Sequence, residues 1–317
     1  MRNPRVRNPR ALDRSRRFAL AADGRIGYAL GMRIEFLKMQ GLGNDFLVFD
    51  APASVAGARF DSNLLRALAD RHLGVGFDQA LMLESPREAN CRVFYRVFNC
   101  DGTEVEQCGN GARCVAALLY ARAPQLGREL TMGSRGGNVH ARVREDGMVS
   151  VDMGIPNFDP RSLPMRAARE SLRYSLEVDG CAHEIGAVSI GNPHAVVRVA
   201  NTRSAPVASL GRGLETHVDF PQRANVGFMQ IIDPCHISLR VFERGAGETL
   251  ACGTGACAAV AVGRRWGSLE SEVRVDLPGG TATVWWGGIG EHVWLTGPAT
   301  TVFTGSVDLT RFTGDGQ

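Results

Sequence analysis

Residues 108–113 read CGNGAR and residues 252–257 read CGTGAC, and this repeated segment is the main indication of the fold. Each copy follows a β-branched and aromatic stretch typical of a strand, RVFYRVF at 92–98 and ISLRVF at 237–242. Each copy also leads into an apolar run of the kind that forms a helix buried on every face. A strand, a loop and a Cys-Gly-x-Gly-Ala helix start therefore occur twice in one chain.

The spacing within the two copies is also the same. Nine positions separate Asn99 from Cys108, and nine separate Glu243 from Cys252. A weaker similarity lies upstream. Asn44 of one Gly-Asn pair lies 64 residues before Cys108, and Asn192 of another lies 60 residues before Cys252. This agreement indicates an internal repeat.

The repeat predicts an α/β (α+β) fold of two pseudo-symmetric domains. Each domain is expected to be a curved β-sheet wrapped around one central buried helix, with the active site in the cleft between the domains. We place an N-terminal domain at residues 32–150 and a C-terminal domain at residues 151–299. The last strand, within residues 300–317, is expected to return to the first domain. Further strands are expected between Gly and Pro residues, at 272–276, 281–286, 292–296 and 301–303.

The charge distribution separates a basic leader from a slightly acidic body. The chain of 317 residues has a net charge of +3, but residues 1–31 carry eight Arg and two Asp. Residues 32–317 hold 28 basic and 31 acidic residues, so the body gives no electrostatic reason to bind nucleic acid. No apolar run is long enough to cross a bilayer, and we expect no membrane partner. We interpret the leader as a disordered tail before a compact protein that begins at Met32.

The eight cysteines do not follow a disulfide or zinc pattern. A chain of this length needs no disulfide scaffold, and the lack of any Cys-x-x-Cys pair leaves a structural zinc site without support. Burial in an inert form is the ordinary role of cysteine, and it is expected for Cys91, Cys181 and Cys235. The two cysteines at the helix starts are the exceptions.

A cysteine at a helix start meets unpaired N–H groups and the positive end of the helix dipole, which lower the pKa of its thiol. The same N–H groups suit a carboxylate, and the glycines let a ligand approach the backbone closely. Two such thiols, related by a repeat, can face one ligand from opposite sides. This geometry fits inversion of an amino acid α-carbon without a cofactor, because one thiolate removes a proton and the opposing thiol returns one.

Three other interpretations stay open on the residues alone. The glycine-rich helix starts can serve close packing, and a single reactive thiol is also typical of a cysteine hydrolase. The fold can also belong to a non-catalytic protein that binds an amino acid. A second thiol at equal spacing favours none of the three.

Eleven stretches of the chain closely resemble the diaminopimelate epimerases, a family of pyridoxal-independent amino acid epimerases. The matching stretches are KMQGLGNDF at 38–46, GVGFDQ at 74–79, FNxDG at 98–102, QCGNGAR at 107–113, MGxP at 153–156, GNPH at 191–194, RANVGFMQ at 223–230, ERGAGET at 243–249, ACGTGA at 251–256, LPGG at 277–280 and TGPA at 296–299. The resemblance runs from about residue 32 to about residue 305, and the two cysteine motifs are highly specific.

The resemblance implies a role for each matching residue. Cys108 would be the base towards the L,L isomer and Cys252 the base towards the meso isomer, with His194 and Glu243 beside the thiols to manage proton transfer. The other implied substrate-binding residues are Asn44 and Gln79 at the reacting end, the backbone N–H groups of Gly109, Asn110, Gly253 and Thr254 at the reacting carboxylate, and Asn99, Asn192, Asn225 and Arg244 at the distal end. Glu243 would also contact the substrate.

The resemblance further implies conversion of L,L-diaminopimelate to the meso form, in lysine and peptidoglycan precursor synthesis. It implies no cofactor, a homodimer and a cytoplasmic location. A racemase of proline or hydroxyproline on the same two-cysteine scaffold is the nearest alternative. Asn99, Asn225 and Arg244 argue against that alternative, because a substrate with one amino acid end leaves them unpaired.

Overall fold

A computed structural model of the chain describes residues 33–50 and 61–312. The predicted leader, residues 1–31, lies outside the described residues, and so does Met32. The first half contains strands β1 Arg33–Gly41, β2 Asn44–Asp50, β3 Gln79–Glu84, β4 Phe94–Asn99, β5 Glu104–Val105, β6 Glu129–Ser134, β7 Gly137–Val143 and β8 Val149–Asp152, with helices α1 Ser62–Ala69 and α2 Gly109–Arg122. The second half contains strands β9 Tyr174–Val178, β10 Cys181–Ser189, β11 Pro193–Arg198, β12 Asn225–Asp233, β13 His236–Glu243, β14 Gly247–Thr249, β15 Glu272–Leu277, β16 Gly280–Trp286, β17 Val293–Gly297 and β18 Thr300–Asp308, with helices α3 Val207–Glu215 and α4 Gly253–Arg265.

The two halves share one strand topology. In the first half β2 and β3 are parallel, β3 and β4 antiparallel, β4 and β6 parallel, and β6, β7 and β8 follow as antiparallel neighbours. In the second half β11 to β13 and β15 to β17 repeat the same sequence of pairings. The prediction of two similar domains built on one repeat is confirmed.

Each half wraps its sheet around one apolar helix. Every residue of α4 from Gly255 to Gly263 is buried, and so is every residue of α2 from Asn110 to Ala116. Small and apolar side chains supply most of these faces, so no side of either helix gains from contact with water. The amphipathic helices α1 and α3 pack in two separate apolar clusters, away from the central helices.

The halves are joined by strand pairing and by apolar packing against both cores. Strands β8 and β17 run antiparallel, with Asp152 opposite Trp294. The last strand, β18, pairs with β1 along eight residues from Arg33 to Gln40. Met153 packs against the cores of both helices. These links place the start of α2 next to the start of α4.

Two expectations about local structure are corrected. The stretches after β4 and β13 are hairpins rather than plain loops, because β5 and β14 fold back and pair with the strand before them. Cys91 is buried as expected, but Cys181 and Cys235 are exposed. Cys181 and Cys235 lie at hairpin turns, where the chain reverses at the surface. Within the described ranges, no helix has the length and apolar character needed to cross a membrane.

Candidate active site

A cleft of about 810 Å³ lies where the two halves meet, and both repeated cysteines line it. The two helix starts are immediate neighbours at its base. A Cβ atom added to Gly253 would lie 3.6 Å from Asn110 Oδ1, and Leu295 packs beneath both Gly109 and Gly253. An added Cβ would lie 2.8 Å from Leu295 at Gly253 and 3.0 Å from Met153 at Gly109, so a larger residue at either position requires these side chains to move.

Cys108 is the N-cap residue of α2. Its Sγ accepts a hydrogen bond from the Gly111 N–H over 3.5 Å and donates to Asn44 Oδ1 over 3.9 Å. The first contact favours the thiolate and the second favours the thiol. Burial raises the pKa of the Cys108 thiol, while the N–H groups of Gly111 and Asn110 work in the opposite direction.

Cys252 occupies the matching N-cap position of α4 and is 5% exposed. Its Sγ lies 3.5 Å from the hydroxyl of Thr254. Burial, followed by the negative charge of Glu243, holds the pKa of the Cys252 thiol well above its ordinary value.

The expectation that the helix starts lower the pKa of both thiols is therefore wrong. The N–H groups do act as predicted, but the cost of removing a thiolate from water is larger. Burial therefore favours the neutral form of both thiols.

His194 is 1% exposed, and its Nε2 lies 2.9 Å from Asn192 Oδ1. Its Nδ1 is buried without a hydrogen-bond partner among the described residues. Burial, with a smaller contribution from the positive charge of Arg244, lowers the pKa of His194 to about 3. His194 is therefore a neutral imidazole at pH 7.

Glu243 lies at the end of β13, where Thr249 of β14 donates a hydrogen bond to its Oε1 over 2.5 Å. The hairpin thus positions the carboxylate that acts on Cys252. Glu243 and Thr249 both line the cleft.

On the other wall, two amide side chains meet the cleft. Gln79 Nε2 donates to Asn99 Oδ1 over 3.0 Å, and the Gln79 Oε1 is buried with no partner among the described residues. Asn44 Nδ2 donates to Asp78 Oδ2 over 2.9 Å. The free oxygen of Gln79 is an acceptor that a ligand N–H can satisfy.

Three of the predicted residues are not on the cleft wall itself. His194 and Asn225 are buried behind it, and Arg244 is exposed, with Nη1 donating to the Gln222 carbonyl over 3.2 Å. Asn225 holds this region together, because its Oδ1 accepts from the Arg244 N–H over 3.0 Å and its Nδ2 donates to the Pro193 carbonyl. The remaining predicted residues line the cleft: Asn44, Gln79, Asn99, Cys108, Gly109, Asn110, Asn192, Glu243, Cys252, Gly253 and Thr254.

Sequence reasoning did not single out an ionic cluster on the cleft wall. Arg71 donates to both Asp45 and Asp78, and Lys38 forms an ion pair with Asp45 over 2.6 Å. Asp78 in turn holds Asn44. Lys38, Asp45 and Asp78 lie inside the motif stretches quoted above. Their closeness in sequence to the implied site residues was the signal that could have identified the cluster. Within residues 33–50 and 61–312, no three His, Cys, Asp or Glu side chains group as a metal site needs.

The chain matches the family model for diaminopimelate epimerase over residues 36–158 and 186–302. It is 51% identical over 280 residues to the diaminopimelate epimerase of Alkalilimnicola ehrlichii and 52% identical over 280 residues to that of Thioalkalivibrio sulfidiphilus. Both alignments cover 88% of this chain and 100% of the relative.

Solved structures share the fold at much lower identity. A hydroxyproline epimerase from Agrobacterium vitis, with bound trans-4-hydroxy-L-proline, aligns with a TM-score of 0.61 and 15% identity over 87% of this chain and 92% of its own. A methylitaconate-delta-isomerase aligns with a TM-score of 0.57 and 12% identity over 90% of this chain and 98% of its own. These structures show the two-domain fold alone. The family model and the identity of about one half along most of the chain show more: the chain belongs to the diaminopimelate epimerase family of isomerases.

Proposed function

We propose that the chain converts L,L-diaminopimelate to meso-diaminopimelate by proton transfer between the substrate and two cysteines. The observation that carries the proposal is the placement of Cys108 and Cys252. They cap two helices related by the repeat, and both line one cleft. One thiol can then meet each face of a carbon held between the helix starts.

In the L,L to meso direction, the Cys108 thiolate removes the α-proton. The electron pair left on the α-carbon spreads into the α-carboxylate, where the N–H groups at the starts of α2 and α4 stabilise it. The Cys252 thiol then donates its proton to the opposite face, so Cys108 ends as the thiol and Cys252 as the thiolate. The reverse direction uses the same groups with their roles exchanged, and a proton exchange restores the starting state.

Neighbouring residues support this transfer. Glu243 acts on Cys252 by its negative charge and keeps that thiol protonated until the carbanion forms. The neutral His194 lies behind the site, and its hydrogen bond to Asn192 holds that amide in place. Gln79 Oε1 is an acceptor for the substrate α-ammonium group, and Asn44 lies beside it at the reacting end.

The distal end of the substrate gives specificity. Neutral amides can both donate to a carboxylate and accept from an ammonium group, and one fixed cation suits the second carboxylate. We assign these tasks to Asn99, Asn192 and Asn225 with Arg244. A proline-type substrate has no second amino acid end and leaves these groups unpaired.

The direct test is proton NMR of L,L-diaminopimelate in D₂O with reduced protein and no added pyridoxal phosphate. We expect loss of the α-proton signal together with formation of the meso isomer. Cys108→Ala and Cys252→Ala should each abolish inversion, whereas Cys235→Ala, at an exposed cysteine, should not. Exchange of trans-4-hydroxy-L-proline but not of diaminopimelate would overturn the substrate assignment, and full activity in either site variant would overturn the two-base scheme.

We further propose a homodimer in the cytoplasm, as a step of lysine and peptidoglycan precursor synthesis. Strand β18 supports the dimer, since Val302 is 57% exposed and Phe303 is 48% exposed on it. Sedimentation equilibrium should give twice the chain mass, and Phe303→Glu should shift the protein towards the monomer. Cell fractionation tests the location.

A further inference from the structure

Arg113 breaks the repeat of the two helix starts with a charge. It stands five residues after Cys108, and the matching position after Cys252 is the neutral Cys257. None of the surface of Arg113 is exposed. A guanidinium stays protonated even when buried, and its burial is costly unless opposite charge lies near it. An asymmetric charge inside a nearly symmetric site therefore requires a physical explanation.

The hydrogen bonds of Arg113 go to neutral groups. Nη2 donates to Asn110 Oδ1 over 2.8 Å, and Nε donates to the Pro298 carbonyl over 3.3 Å. Nη1 is buried with no hydrogen-bond partner among the described residues. The guanidinium also lies against the backbone of Gly297, where an added Cβ would come within 3.2 Å of its Cζ. The charge is thus held against Asn110, Gly297 and Pro298.

Among the described residues, three thiols interact electrostatically with the charge of Arg113. They are Cys114, Cys108 and Cys257. Burial raises the pKa of both Cys114 and Cys257 to about 12, so these two are neutral near pH 7. Cys108 is the member of this group that lines the cleft. As a thiolate, Cys108 can serve as a counter-charge to Arg113.

We propose that Arg113 is a positioning residue that sets the order in which the two site thiols ionise, with Cys108 ionising before Cys252. The proposal rests on the two-base scheme and deepens it. The positive charge of Arg113 favours the Cys108 thiolate, whereas the charge that acts on Cys252 is the negative one of Glu243. Of the two neutral thiols, Cys108 is thereby the first to become a base, and Cys252 remains the acid.

Other ionisable groups also affect the pKa of Cys108, so the experiment must separate their effects from that of Arg113. Glu243 opposes ionisation of Cys108, and the phenol of Tyr95 and the thiol of Cys114 interact with it electrostatically. The hydrogen-bond partners of Arg113 are Asn110 and Pro298, and these groups are not among them. Arg113→Lys keeps the positive charge, so it separates the effect of the charge from the effect of losing the bond to Asn110.

The experiment is alkylation by iodoacetamide from pH 6 to pH 10 on the full chain, read peptide by peptide with mass spectrometry. In the wild type, Cys108 should react at lower pH than Cys252. Arg113→Met should move the Cys108 midpoint up by about one pH unit, a roughly tenfold loss of rate below the midpoint, and leave Cys252 unchanged. Arg113→Lys should retain the wild-type order. Arg122→Met, at an exposed arginine in the last turn of α2, is the matched control.

A wild-type protein in which Cys252 reacts first would overturn the proposal, and so would a folded Arg113→Met variant with an unchanged Cys108 profile. If Arg113→Met does not fold, the test of the proposal is whether Cys108 of the wild-type protein reacts at lower pH than Cys252. The result is separate from the proposed function. Correct ordering without α-proton exchange on diaminopimelate would leave the inference standing and overturn the function, whereas exchange with reversed ordering would do the opposite.

Discussion

Asn44 donates from Nδ2 to Asp78 Oδ2 over 2.9 Å, and this bond turns the Asn44 Oδ1 towards the thiol of Cys108. An amide can present either end to a neighbour, so the carboxylate decides which end meets the sulfur. Asp78 is itself held by Arg71 over 2.7 Å and by the Asp45 N–H over 3.0 Å. The orientation of one amide at the reacting end is thus set by an ionic cluster on the cleft wall.

Replacing Asp78 by Asn should lower kcat/KM by about ten- to a hundredfold. Loss of a hydrogen bond to a charged group costs about 1.5–3 kcal/mol, and the Asn44 amide is then free to turn its NH₂ group towards Cys108. Steady-state kinetics on diaminopimelate measure the effect. Asp50→Asn, at an exposed carboxylate that pairs with Arg122, should retain wild-type kinetics. Unchanged kcat/KM in Asp78→Asn would show that the orientation of Asn44 does not matter.

Glu215→Ala should raise KM about five- to tenfold and change kcat little. The buried Glu215 Oε1 accepts from the Gly245 N–H over 2.7 Å, so it anchors the turn that carries Arg244. Loss of the anchor costs about 1 kcal/mol of substrate binding at the distal end and leaves the thiols intact. Glu177→Ala, at an exposed position of β9, is the control. A fall in kcat at constant KM would place the role of Glu215 elsewhere.

His194→Gln should make the folded protein less sensitive to acid. Burial, with the charge of Arg244, lowers the pKa of His194 to about 3, from 6.5 in the unfolded chain. Above pH 6.5 both states are neutral and His194 contributes nothing to the pH dependence. As the pH falls from 6.5 towards 3, the unfolded chain takes up a proton that the folded protein does not, and the free energy of unfolding decreases.

The measurement is urea denaturation at several pH values between about 6 and about 4. In the wild type, the free energy of unfolding should fall more steeply than in His194→Gln, by up to about 1.4 kcal/mol per pH unit. His72→Gln, at an exposed histidine, should follow the wild type. Equal slopes in wild type and His194→Gln would mean that His194 is protonated in the fold.

Gly279→Ala should lower the free energy of unfolding by about 1–3 kcal/mol. A Cβ at Gly279 would lie 2.0 Å from the Leu42 carbonyl oxygen, and this contact joins the turn after β15 to the turn after β1 across the two halves. Backbone atoms cannot move aside as a side chain can. Gly227→Ala is the control, because its added Cβ would make an ordinary contact of 3.5 Å with Leu239. Thermal unfolding curves that coincide for both variants would contradict this account.

Much of the site was predictable because its chemistry is local. A cysteine followed by Gly-x-Gly-Ala and an apolar run is a helix start within a few residues, and two equally spaced copies predict the two halves. The strands at 272–277, 280–286 and 293–297 also lie within a residue or two of their predicted bounds, since Gly and Pro mark their ends. The short hairpin strands β5 and β14 were not predicted, because two or three residues are too few to show the alternation of apolar and polar residues that marks a strand.

The repeat and the two capping cysteines could be predicted from the sequence alone, because helix starts, strand ends and motif spacing are properties of short segments. Most other residues of the cleft wall were implied by the resemblance to the diaminopimelate epimerases. The direction of the thiol pKa shifts, the amide orientation of Asn44 and the burial of Arg113 in α2 could be seen only in the three-dimensional structure. Each of these depends on desolvation or on charges brought together from distant parts of the chain. A residue pattern sets which groups are present, whereas packing sets the dielectric and the neighbours that each group experiences.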